Sequence, residues 1–140
     1  MRHTTRSAAE TEAVGAKVAE RVRPGDVVLV SGELGTGKTT LVRGASRQLG
    51  VREPITSPTF VIGRRYEGRV PVSHLDLFRL ASLADEEPDL LAEYLSEDAV
   101  CFIEWPAVAQ PELERVTLRI ELRHGGGDVR EITLTEAEGE

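Results

Sequence analysis

A chain of 140 residues and 15.3 kDa, with 40% hydrophobic and 29% charged residues, has the composition of one ordinary globular domain. Its longest apolar runs, Val27–Val30 and Ala99–Ile103, fall far short of the ~20 residues that cross a bilayer, and Met1–Arg6 leads into no apolar stretch; neither a membrane span nor a secretory leader is expected. The single cysteine, Cys101, excludes an intramolecular disulfide and a cysteine-based zinc site, and a net charge of −7 argues against a broad basic face that holds nucleic acid unaided. These features predict one cytoplasmic domain over 1–140, with 136–140 a frayed acidic tail.

Ser7-Ala8-Ala9-Glu10 reads as a capping box, and Thr11, Val14, Gly15, Val18 and Val22 fall on one face of the helix that follows, which Pro24-Gly25 stops. Val27-Val28-Leu29-Val30 has the unbroken apolar character of a strand buried on both faces in a parallel sheet. A glycine-rich turn then leads into a second helix from about Lys38 to Leu49, with Gly50 as its C-cap.

Further strands are predicted at Thr59–Ile62 and Val70–Leu77, with a turn near Glu67-Gly68, and a short helix opens at Asp85-Glu86-Glu87-Pro88. Val100–Ile103 is another buried-type strand. Val116, Leu118, Ile120 and Leu122 alternate with polar residues before Gly125-Gly126-Gly127, and Val129–Leu134 returns as the second arm of an antiparallel hairpin with one wet face. Strand, turn and helix in alternation predict an α/β fold: a three-layer P-loop NTPase-like domain, its sheet mixed because of the C-terminal hairpin.

Gly32-Glu33-Leu34-Gly35-Thr36-Gly37-Lys38-Thr39 satisfies G-x-x-x-x-G-K-[ST] and lies between a buried strand and a helix. Each part has a physical purpose. Glycines let backbone N–H groups approach phosphate oxygens, and the helix N-terminus adds partial positive charge. Lys38, one of only two lysines, reaches the β- and γ-phosphates, and the Thr39 hydroxyl binds Mg²⁺. The motif therefore predicts a nucleoside triphosphate and Mg²⁺, with residues from Glu33 to Thr40 around the nucleotide.

Mg²⁺ also calls for a carboxylate at the end of a neighbouring strand, where ligands of α/β sheets sit. Glu104, after Val100–Ile103, has the layout of a Walker B acid; Asp76, after Val72-Ser73-His74-Leu75, is the other candidate. His74 reads as a packed or partly exposed histidine rather than a proton carrier. Trp105, the only tryptophan, reads as a core residue beside the nucleotide, and Ser57-Pro58-Thr59 reads equally as a nucleotide-sensing switch or as a proline turn of small polar residues.

Together, Gly32–Thr40 (GELGTGKTT), Ser57-Pro58-Thr59-Phe60, His74–Leu80 (HLDLFRL) and Ile103-Glu104-Trp105-Pro106 resemble the TsaE (YjeE) family across nearly the whole chain. Glu33 stands where aspartate is usual and Phe78 where tyrosine is common. The resemblance implies a bacterial P-loop ATPase needed for N6-threonylcarbamoyladenosine in tRNA. Such a protein acts on a complex of TsaB and TsaD, of which TsaD transfers the group, and meets tRNA only through that complex. It further implies ATP as the nucleotide, Thr39 and Glu104 as Mg²⁺ ligands, Asp76 as the acid that orients water or metal, and Thr11 near the adenine. With Lys38, Asp76 and Glu104 these form the predicted catalytic and binding set. On the residues alone, a small-molecule kinase with a lid from Arg64, Arg65 and Arg69, or a nucleotide-switched module without useful turnover, remains open.

Overall fold

The computed structural model describes residues 1–33, 35–55, 63–76, 97–105 and 116–136, with Asp76 and Trp105 described by backbone alone. In chain order the elements are β1 (Arg2–Thr5), α1 (Ala8–Ala19), β2 (Val27–Gly32), α2 (Lys38–Gln48), β3 (Gly63–Glu67), β4 (Pro71–Asp76), β5 (Val100–Trp105), β6 (Leu118–His124) and β7 (Arg130–Glu136). The strands form a seven-stranded sheet in the order β1-β7-β6-β2-β5-β4-β3. β2 runs parallel to β5 and β6, and β4 parallel to β5; β3, β7 and β1 attach antiparallel to their neighbours.

The valine-rich β2 takes the central place that its composition predicts, every residue buried. Val28 and Val30 join Val72, Phe102, Ile120 and Leu122 in one core with Val14 and Val18 of α1 and Leu41, Val42 and Ala45 of α2. The alternate positions, Val27, Leu29, Leu75, Cys101 and Ile103, are buried as well, so the central strands are covered on both faces.

The two helices meet backbone to backbone. A Cβ on Gly15 would stand 2.0 Å from the Leu41 carbonyl oxygen, and one on Gly44 would stand 2.0 Å from that of Glu12. Only glycine allows this approach.

Several boundaries differ from those expected. α1 ends at Ala19, ahead of Pro24-Gly25, because the Glu20 and Arg21 N–H groups already close onto Lys17 and Val18 in a tight final turn. In the capping box, Ser7 accepts from the Glu10 N–H as predicted, but the Glu10 carboxylate bonds the N–H of Arg6 rather than that of Ser7. Leu49 is the C-cap of α2 and Gly50 the residue after it.

β3 begins at Gly63, and the predicted strand at Thr59–Ile62 lies outside the described residues, as do the helix opening at Asp85, Ser57-Pro58-Thr59 and residues 137–140. Glu136 is not frayed: it closes β7 opposite Leu118 and pairs with Arg21. β1, an edge strand with no apolar alternation, is not legible in the sequence; its pairing with β7 supplies the order its side chains do not.

Candidate nucleotide and metal site

The parallel strands β2, β4, β5 and β6 end at one edge of the sheet, and the loop from Gly32 to Thr39 sits there. Gly37 is the N-cap of α2 at φ 98°, a left-handed conformation, and no side chain caps the helix. The first N–H groups of α2 are thus not taken by a side-chain cap, in contrast to α1, which Ser7 caps. Inside the loop, Thr36 Oγ1 donates to the Glu33 carbonyl at 2.7 Å and Lys38 Nζ donates to the Gly32 carbonyl at 2.6 Å. Leu34 lies outside the described residues.

The strand register brings the predicted acids to this edge. Glu104 stands opposite Val30 on one side and Asp76 on the other. Thr39 Oγ1 donates to Glu104 Oε2 at 2.8 Å. A side chain not credited with any role in the sequence joins them: His74, fully buried, bonds the same Oε2 through Nε2. Its Nδ1 is buried without a hydrogen-bond partner among the described residues, and because a carboxylate oxygen accepts, Nε2 is assigned as the donor of this bond. The signal that points to it is spacing, since residues two apart on a strand share a face and His74 lies two before Asp76.

The Thr39 hydroxyl and Glu104 carboxylate are hard oxygen donors side by side, the chemistry that Mg²⁺ accepts. Among the described residues no group of three or more His, Cys, Asp or Glu gathers to hold a metal by itself. A cation here would take its remaining ligands from phosphate and water, as Mg²⁺ commonly does.

Beside the loop opens a cleft of about 370 Å³, lined by Arg6, Ser7, Ala8, Thr11, Gly35, Thr36, Gly37, Thr40, Asp128 and Arg130. Thr11 is expected here; its hydroxyl is buried against that of Thr5 at 2.8 Å, which fixes it in place. Arg6, Ser7, Ala8, Asp128 and Arg130 are not, because the pairing of β1 with β7 is what brings the two ends of the chain together. Arg130 donates to the carbonyls of Gly127 at 2.8 Å, Val129 at 2.9 Å and Gly35 at 3.1 Å, binding the hairpin turn to the phosphate loop. Glu33, predicted among the nucleotide contacts, lines a neighbouring hollow with Thr36, Glu121, Leu122, Arg123 and His124, and Thr36 borders both.

Residues 5–132 match the family described as threonylcarbamoyl adenosine biosynthesis protein TsaE. Proteins named tRNA threonylcarbamoyladenosine biosynthesis protein TsaE are similar over most of their length. The Bacillus subtilis protein is 39% identical over 90% of this chain and 79% of its own, and that of Streptomyces coelicolor is 41% identical over 87% of each. The Treponema pallidum protein is 40% identical over 96% of this chain and 99% of its own. The crystal structure of Bacillus subtilis YdiB superposes with a TM-score of 0.75 at 32% identity, over 97% of this chain and 84% of that one. The α/β fold with its mixed sheet and the sequence agree, and the chain belongs to the TsaE family of threonylcarbamoyl adenosine biosynthesis proteins.

Proposed function

We propose that the chain is a cytoplasmic Mg²⁺-dependent ATPase required for threonylcarbamoyladenosine in tRNA, acting on the TsaB–TsaD complex rather than transferring the group itself. The observation that carries this reading is the meeting of Thr39 Oγ1 and Glu104 Oε2 at 2.8 Å, directly after a phosphate loop and at a helix N-terminus without a side-chain cap. The fold belonging to it is a three-layer P-loop NTPase-like domain over 1–140. It is supported by a central sheet buried on both faces, one of them by α1 and α2.

In this reading the loop N–H groups and Lys38 cradle the phosphates, while Thr39 and Glu104 hold the cation. Mg²⁺, when bound, neutralises charge on the β- and γ-phosphate oxygens. Asp76, at the register position beside Glu104, orients the attacking water or the metal. The cleft between Thr11 and Arg130 takes the base and ribose; its volume lies within the usual range for small-molecule sites.

The arginines argue against a kinase lid. Arg65 is tied to Asp98 at 2.9 Å, ahead of the start of β5, and Arg69 bonds the Gln48 carbonyl at the C-terminus of α2. That end lies about 16 Å along the helix from the phosphate loop. In this reading hydrolysis by the chain alone is slow and is completed by the partner proteins, as in regulated P-loop NTPases.

The test is mass spectrometry of tRNA nucleosides from cells whose only copy carries Lys38→Ala. Threonylcarbamoyladenosine falls while other modifications persist; an unchanged level removes this chain from the pathway.

A further inference from the structure

We infer that His74 is a positioning residue for the metal site, holding the Glu104 carboxylate so that one of its oxygens stays open to the cation. This rests on the Mg²⁺ reading above. Both protein hydrogen bonds to that carboxylate among the described residues, from Thr39 Oγ1 and His74 Nε2, go to Oε2, which leaves Oε1 without one. A carboxylate on a residue that is only 9% exposed needs such donors to offset its burial.

The two donors differ in kind. The Thr39 hydroxyl rotates and also has a lone pair to offer a metal. The His74 ring is fully buried and stands on β4 opposite Phe102 of β5, which offers it no acceptor in its side chain. Its Nδ1 has no partner among the described residues, so the ring's hydrogen bond there is the one to Glu104. A buried imidazole with one of its two nitrogens unpartnered among the described residues is a poor way to fill a core, where leucine would pack without that cost. Its use here is orientation: His74 fixes the plane of the carboxylate and ties it to the strand that ends in Asp76.

The test uses the purified chain with ADP and Mn²⁺, whose binding is followed by electron paramagnetic resonance. Wild type binds Mn²⁺ in the presence of ADP. His74→Leu raises the Mn²⁺ Kd about 10-fold or more, the usual effect of losing a partner of a metal ligand. Its ADP affinity in excess EDTA stays close to that of wild type, and His74→Gln, whose side-chain amide replaces the donor, recovers most of the loss.

Two results overturn the inference: unchanged Mn²⁺ affinity in His74→Leu, or an equal loss of ADP affinity with and without metal, which marks a merely structural role. Wild type that binds no Mn²⁺ with ADP overturns the metal reading itself. Should the leucine variant fail to fold, ¹⁵N spectra of wild type decide. A His74 ring protonated on Nε2 supports the inference, and one protonated only on Nδ1 overturns it, because it has no hydrogen to donate.

Discussion

Arg130 and Gly35, 95 positions apart, are joined by a hydrogen bond of 3.1 Å that binds the final hairpin to the phosphate loop. The same guanidinium holds the carbonyls of Gly127 and Val129, so one planar group fixes the turn and the loop together. Arg130→Ala is expected to weaken ADP binding about fivefold, from the loss of about 1 kcal/mol of partly exposed hydrogen bonding. Arg130→Lys will not restore it, because an ammonium lacks the fork. Calorimetric titration with ADP measures both.

Thr39 and Glu104 act as a unit in the metal reading, and their losses should not add. In a double-mutant cycle on Mg²⁺-ADP affinity, Thr39→Val and Glu104→Gln are expected to show a coupling of about 1–3 kcal/mol. Strictly additive losses would mean that the two oxygens serve different ligands.

The contact between α1 and α2 predicts a sharp intolerance. Gly15→Ala or Gly44→Ala drives a methyl group into a carbonyl oxygen of the facing helix, and each is expected to cost about 3 kcal/mol or more in denaturant unfolding. Gly126 is the control, since a methyl group added there would have nothing within 4 Å. Alanine at that position meets only the strain of φ +99°, about 1 kcal/mol.

His3 titrates below the ordinary histidine value of 6.5, first because burial penalises its charged form and then because Lys17 and the N-terminal ammonium repel it. A folded-state value below the unfolded one means a stability contribution that is present above pH 6.5 and lost as pH falls through the folded value. His3→Gln is expected to remove that pH dependence. Proton NMR of the His3 ring checks the direction, and a midpoint at or above 6.5 would refute it.

What is legible in the sequence is local. The Val27–Val30 run, the glycine-flanked loop with Lys38 and Thr39, and the alternation from Leu118 to Leu122 each state their own structure through period and turn chemistry. Glu104 is legible because an acid closing an apolar run at the ligand edge is itself a local pattern. His74 shows in the sequence only as a residue two before Asp76, and its meeting with Glu104 depends on β4 lying beside β5 in a register that sets it opposite Phe102. Arg6 and Arg130 are hidden for the same reason, as neighbours only through the pairing of β1 with β7.

The two side chains that meet at Glu104 Oε2 carry a kinetic consequence. Thr39 and Glu104 are 65 positions apart, and His74 and Glu104 are 30 apart, on elements that touch only when β2, β5 and β4 lie side by side. Contacts this distant close late and slowly, because the chain between them must first give up its freedom. The carboxylate is oriented only once the centre of the sheet has assembled. On the metal reading, a nascent or partly unfolded chain therefore lacks the oriented carboxylate, and a nucleotide that draws on finished molecules would favour the folded population by mass action.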